Sequence, residues 1–196
     1  VIKIFLAGEG ATELGGWARE KVYRDPTPSV GVLEALLRKV SASGWTIIDA
    51  CCWKNIRKYR VRPPMPAEIR NLLGVALQAK EAGAEVLAFA RDRDRDEDRQ
   101  SAVVEGIRSA SNTLNPCPTI VGGVAIEAIE AWLLALHGER RGYHHARPKE
   151  HLAALGITHH VTVIEAADTD SPSIDSPSLQ TWLDQARRAL ATASDD

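Results

Sequence analysis

Four short apolar runs punctuate this chain: Val1–Ala7, Trp45–Cys51, Glu85–Ala90, and Thr119–Val121 with its neighbours. Each is a near-continuous apolar stretch, the pattern of a strand buried on both faces. Between the runs the period changes to that of a helix. From Val30 to Val40, Leu33, Leu36, Leu37 and Val40 fall three and four apart, with Gly44 as a stop. Pro66–Ala82 opens on Pro66-Ala67-Glu68, a favourable first turn, and ends at Gly83. Asp96–Leu114 begins with acids that suit the positive end of a helix dipole. Alternating strands and helices predict an α/β fold in which about four mostly parallel strands are flanked by helices on both faces.

Beyond the fourth run the pattern turns helical. Gly122-Gly123 leads into a strongly apolar helix predicted over Val124–Leu136, and a His- and Arg-rich link runs from His137 to Arg147. A short helix follows over Pro148–Leu155, then a loop rich in Asp, Ser and Pro over Ala166–Ser178, and a closing amphipathic helix over Leu179–Ala193. The division expected is a core over residues 1–140 and a helical C-terminal extension over 141–196 packed on it.

In open parallel sheets functional groups gather at the C-terminal ends of the strands, and two runs end in acids. The first passes into Gly8-Glu9-Gly10-Ala11-Thr12-Glu13, the third into Arg91-Asp92-Arg93-Asp94-Arg95-Asp96. Gly8 and Gly10 allow a tight turn and a close approach beside Glu9. If a helix starts near Thr12, Glu13 lies one turn from Glu9, although an acid there can equally cap the helix. If extended backbone persists past Phe89, Asp92 and Asp94 share a face and the intervening arginines point away. The competing expectation is a solvated charge run that starts a helix. Oxygen-rich clusters of this kind suit hard divalent cations. Glu127 and Glu130 sit three apart on the predicted apolar helix, where they need a metal, a cap or an arginine as partner. Glu130 is the stronger candidate to complete the site.

Composition narrows the choice modestly. With 24 basic and 26 acidic residues the net charge is -2, so a polyanion would have to meet a local patch. Lys54, Arg57, Lys58, Arg60 and Arg62, interleaved with Trp53 and Tyr59, form such a candidate patch for nucleic acid. The three cysteines, two of them adjacent, do not resemble a disulfide framework, and the expected location is cytoplasmic. The six histidines match no structural zinc spacing, and no apolar run is long enough to suggest a membrane partner.

Taken together, Gly8-Glu9-Gly10-Ala11-Thr12-Glu13 and Asp92-Arg93-Asp94 resemble the Toprim fold, with spacing nearest the OLD-type nucleases. Glu127-Ala-Ile-Glu130-Ala-Trp-Leu-Leu-Ala is similar to a motif of small Toprim-like proteins associated with phage defence. The resemblance spans roughly residues 1–140. It implies a two-metal nuclease using Mg2+ or Mn2+ and cutting DNA or RNA, with DNA the favoured substrate. Glu9, Asp92 and Asp94 would be catalytic, and Glu9, Glu13, Asp92, Asp94 and Glu130 would be metal ligands. The ATPase domain joined to OLD nucleases has no counterpart in these residues, which implies a separate ATPase or defence-complex subunit as partner. Two alternatives stand beside the nuclease: a non-catalytic Toprim-like subunit or sensor, and a phosphatase-type phosphotransferase.

Overall fold

The computed structural model describes residues 1–57, 65–139, 147–170 and 176–191. Strands β1 (Ile2–Gly8), β2 (Trp45–Cys52), β3 (Val86–Asp92) and β4 (Thr119–Ala125) form one sheet in the order β2-β1-β3-β4. Every pairing is parallel, so the fold is the α/β arrangement the alternating pattern predicts. Eight α-helices flank the sheet among the described residues: α1 (Ala11–Leu14), α2 (Val32–Val40), α3 (Ala67–Glu81), α4 (Arg99–Thr113), α5 (Ile129–Leu136), α6 (Pro148–Ala154), α7 (His160–Ala166) and α8 (Pro177–Ala191).

The central strands are apolar throughout because both faces are covered. Alternate residues of β1 and β3 supply two separate cores. Phe5, Ala7, Leu87 and Phe89 pack with Leu72 and Val75 of α3 and Val103 of α4. Ile4, Leu6 and Ala88 pack on the other face with Leu33 and Leu36 of α2, Trp132 of α5 and Trp182 of α8.

The chain leaves β1 toward β2 on one side, and leaves β3 toward β4 on the other. With α2 and α4 on opposite faces, the connections diverge at the β1/β3 border and leave a crevice at the strand ends. Both acidic segments arrive there.

The boundaries differ most from the sequence expectation around the fourth strand, and α4 begins at Arg99, after the acids expected in its first turn. β4 runs through Gly122-Gly123 to Ala125, and α5 starts only at Ile129. Gly122 belongs to the strand because a Cβ there would stand 1.9 Å from the Phe89 ring, leaving glycine as the residue that fits. The short α7 lies where the sequence offers no clear pattern.

α8 is integral to the sheet's packing. Trp182 Nε1 donates to the Phe89 carbonyl at 2.9 Å, and the Gly122 N–H donates to Gln185 Oε1 at 2.8 Å. The Trp182 ring meets Trp132 with centroids 6.2 Å apart.

Candidate metal centre at the sheet's switch point

Three buried carboxylates from three elements converge on the crevice: Glu13, Asp92 and Glu130. Glu13 is the third residue of α1, and its Oε2 accepts the Gly10 N–H at 2.8 Å. The absence of a side chain at Gly8 makes room for it, since a Cβ there would lie 2.6 Å from Glu13 Cβ. Asp92 is the last residue of β3, and its Oδ1 accepts the N–H of Ile129, the first residue of α5, at 2.8 Å. Glu130 follows on α5 with its side chain only 7% exposed. Its Oε1 lies 3.9 Å from Lys149 Nζ, and its Oε2 is buried with no hydrogen-bond partner among the described residues.

This arrangement is electrostatically unfavourable. Burial, then the neighbouring Glu13 and Glu130 charges, push Asp92 up to about 7 against the pull of the Ile129 N–H. Glu13 is raised too, first by burial and further by Glu130, despite its backbone hydrogen bonds. Lys149, the cation paired with Glu130 among the described residues, is 68% exposed and compensates weakly.

The other acids singled out in the sequence lie nearby but have partners. Glu9 is ion-paired with Arg91, and its Oε1 accepts the Asp92 N–H at 3.4 Å. Arg91 also donates from Nε to Glu68 Oε1 at 2.8 Å and lies over the Trp53 ring, 5.2 Å from its centroid. Asp94 does not share a face with Asp92. β3 ends at Asp92, and Asp94 and Arg95 turn into left-handed backbone, with φ of 50° and 62°. Asp94, 57% exposed, pairs with Arg99 at 3.0 Å.

Glu127 departs from expectation in the same way. It precedes α5 with φ 67° rather than riding on the helix with Glu130, and it is ion-paired with Arg93. The Asp94 N–H donates to the Glu127 carbonyl at 3.2 Å, tying the two left-handed turns together. Asp94, Arg95 and Glu127 are the positive-φ non-glycine residues of the described chain, and all three edge the same cleft. Strained backbone of this kind persists where surrounding structure holds it, commonly at functional sites.

That cleft, about 320 Å³, opens beside the carboxylates and is lined by Asp94, Arg95, Glu127, Arg147, Lys149 and Glu150. Lys149, Arg147 and Glu68 had not stood out in the sequence. Each is an ordinary charged residue at a helix start, marked only by where the fold brings it.

Of the expected nucleic-acid patch, Lys54 and Arg57 are exposed just beyond β2, and Arg57 pairs with Glu81 at 3.0 Å. Lys58, Arg60 and Arg62 lie outside the described residues. Cys51, Cys52 and Cys117 form no disulfide, and burial raises all three thiols, Cys51 to about 11.

Among the described residues no group of three or more His, Cys, Asp or Glu side chains is arranged to hold a metal ion, and no helix is long and apolar enough to cross a membrane. The donor chemistry of the crevice nevertheless fits a hard cation: carboxylate oxygens only, an unpartnered oxygen on Glu130, and a deficit of positive charge. Comparison with family models, with curated proteins and with solved structures gives no match.

Proposed function

We propose that this chain is a Toprim-like, Mg2+- or Mn2+-dependent phosphodiesterase acting on nucleic acid, DNA in preference to RNA. The observation that carries it is the charge imbalance at Glu13, Asp92 and Glu130. Three nearby arginines pair with the outer acids: Arg91 with Glu9 and Glu68, Arg93 with Glu127, and Arg99 with Asp94. Among the described residues the inner three have only one ion pair, a long, 3.9 Å contact from Glu130 to the exposed Lys149. Carboxylates kept buried without such partners are costly, and a divalent cation supplies the missing counter-charge.

Glu13, Asp92 and Glu130 would hold the cation, with Glu9 and Asp94 at its margin. When bound, it would activate a water and stabilise the leaving oxygen of a phosphodiester. The chain's own contribution is orientation. The Gly10 N–H fixes Glu13 and the Ile129 N–H fixes Asp92, each through a single carboxylate oxygen. Arg95, Arg147 and Lys149 line the adjoining cleft and can meet phosphate oxygens, while Lys54 and Arg57 offer a second contact with a longer polyanion. The free thiols of Cys51, Cys52 and Cys117 are compatible with the reducing cytoplasm, the location we propose.

One observation favours a second reading, a non-catalytic subunit of a defence complex. Glu9, which the Toprim resemblance makes catalytic, is held by Arg91. Incubating plasmid, single-stranded DNA and RNA with Mg2+ or Mn2+, beside Asp92→Asn and Glu130→Gln, separates the two. Metal-dependent cutting lost in both variants supports the enzyme. A folded protein that binds Mn2+ without cutting, alone or with an added ATPase partner, favours the subunit.

A further inference from the structure

A second cleft, about 490 Å³, lies between the 3-10 turn Gly15–Ala18, helix α2 and the start of β2. Trp17, Glu34, Arg38, Trp45, Thr46 and Ile47 line it. It shares no lining residue with the cleft beside the carboxylates.

Its polar centre is Glu34, in the first turn of α2, with its side chain only 9% exposed. Oε1 accepts from Arg38 Nη2 at 2.6 Å, but Oε2 is buried and has no partner among the described residues. An orphaned carboxylate oxygen of this kind calls for an N–H donor.

Its walls are two half-buried indoles that are already held in place. Trp45 Nε1 donates to the Ser41 carbonyl at 2.8 Å. Trp17 carries the Arg24 guanidinium 4.8 Å from its ring centroid, and Arg24 also donates to the Trp17 carbonyl. Arg38, 58% exposed, keeps further N–H groups for a ligand acceptor.

The ligand must therefore be flat, offer N–H donors to Glu34, and place an acceptor near Arg38. A simple cation fits poorly, because Arg38 already neutralises Glu34. Guanine fits: its edge sets two N–H donors beside a carbonyl, and its ring can lie against an indole. Adenine sets its amino group beside a ring-nitrogen acceptor but lacks the second adjacent N–H that guanine turns toward a carboxylate. We infer that this cleft is a binding site for the guanine base of a nucleotide, distinct from the carboxylate centre and independent of what that centre does.

The test is calorimetric titration of the metal-free protein with guanosine 5′-monophosphate, adenosine 5′-monophosphate and N-acetylarginine amide. The guanine nucleotide should bind saturably and the adenine nucleotide at least about tenfold more weakly. Glu34→Gln, which keeps the acceptor for Arg38 but turns a donor toward the ligand, should lower affinity about tenfold or more. Arg38→Met, at an exposed position, should weaken it independently, with circular dichroism confirming the fold of both variants. Absence of saturable guanine binding, equal affinity for the two nucleotides, tighter binding of the arginine amide, or unchanged affinity in a folded variant would each overturn the inference.

Discussion

Removing a charge from the crevice should make the metal-free protein more stable. Asp92→Asn keeps an Oδ1 acceptor for the Ile129 N–H and closely matches the original shape, so the change is essentially electrostatic. The wild-type carboxyl moves from an ordinary 3.8 to about 7 in the folded protein. Below about pH 4 it is protonated in both folded and unfolded chains and costs nothing. As pH rises through the window up to about 7, the unfolded chain releases its proton while the folded chain retains it, so wild-type stability falls.

The full interval corresponds to about 4 kcal/mol. Local relaxation and water reduce such buried-charge energies, so the expected gain for Asp92→Asn near pH 8 is about 2 kcal/mol. That is a rise in Tm of roughly 4–8 °C for a chain of this size. The gain should shrink toward zero near pH 4. Thermal melts followed by circular dichroism across this range, without divalent ions, measure it directly. A folded Asp92→Asn protein no more stable than wild type near pH 8, or a gain that does not depend on pH, would refute the electrostatic reasoning.

Three further outcomes follow from the packing. Trp182→Ala empties a fully buried site against Trp132 and leaves the Phe89 carbonyl without its indole donor; urea unfolding should show a loss of about 4 kcal/mol. Gly8→Ala forces Glu13 away from its position, because the added carbon would sit 2.6 Å from Glu13 Cβ; Mn2+ affinity measured by calorimetry should fall at least about tenfold while the fold persists. Reversing Lys54 and Arg57 together to Glu should weaken binding to a DNA oligonucleotide and flatten its salt dependence, whereas hydrolysis of a small phosphate ester should be unaffected. A small-ester activity with no effect on DNA would instead favour the phosphatase.

The sequence reveals the sheet because parallel strands covered on both faces must be apolar, and each of the four runs becomes a strand. Glu13, Asp92 and Glu130 could also be picked out, as acids directly beside buried segments. Alternation past Phe89 misleads at Asp94, because the chain leaves extended geometry at Asp92 and enters left-handed backbone at two non-glycine residues. Such turns have no reliable residue signature. They depend on the tie to Glu127 across the crevice, a contact that exists only once β4 is in place. The late start of α5 has the same origin: Gly122 reads as a strand breaker, yet it is needed where the Phe89 ring crosses β4. Lys149 and the Glu34 cleft depend on tertiary contacts alone.

The most direct measurement is calorimetric titration of Mn2+ into the wild-type protein and Glu130→Gln near pH 8. If the crevice is a cation centre, the wild type binds Mn2+ saturably and Glu130→Gln, still folded, binds at least about tenfold more weakly. No saturable binding to the wild type, or equal affinity in both proteins, would contradict a cation centre at Glu13, Asp92 and Glu130.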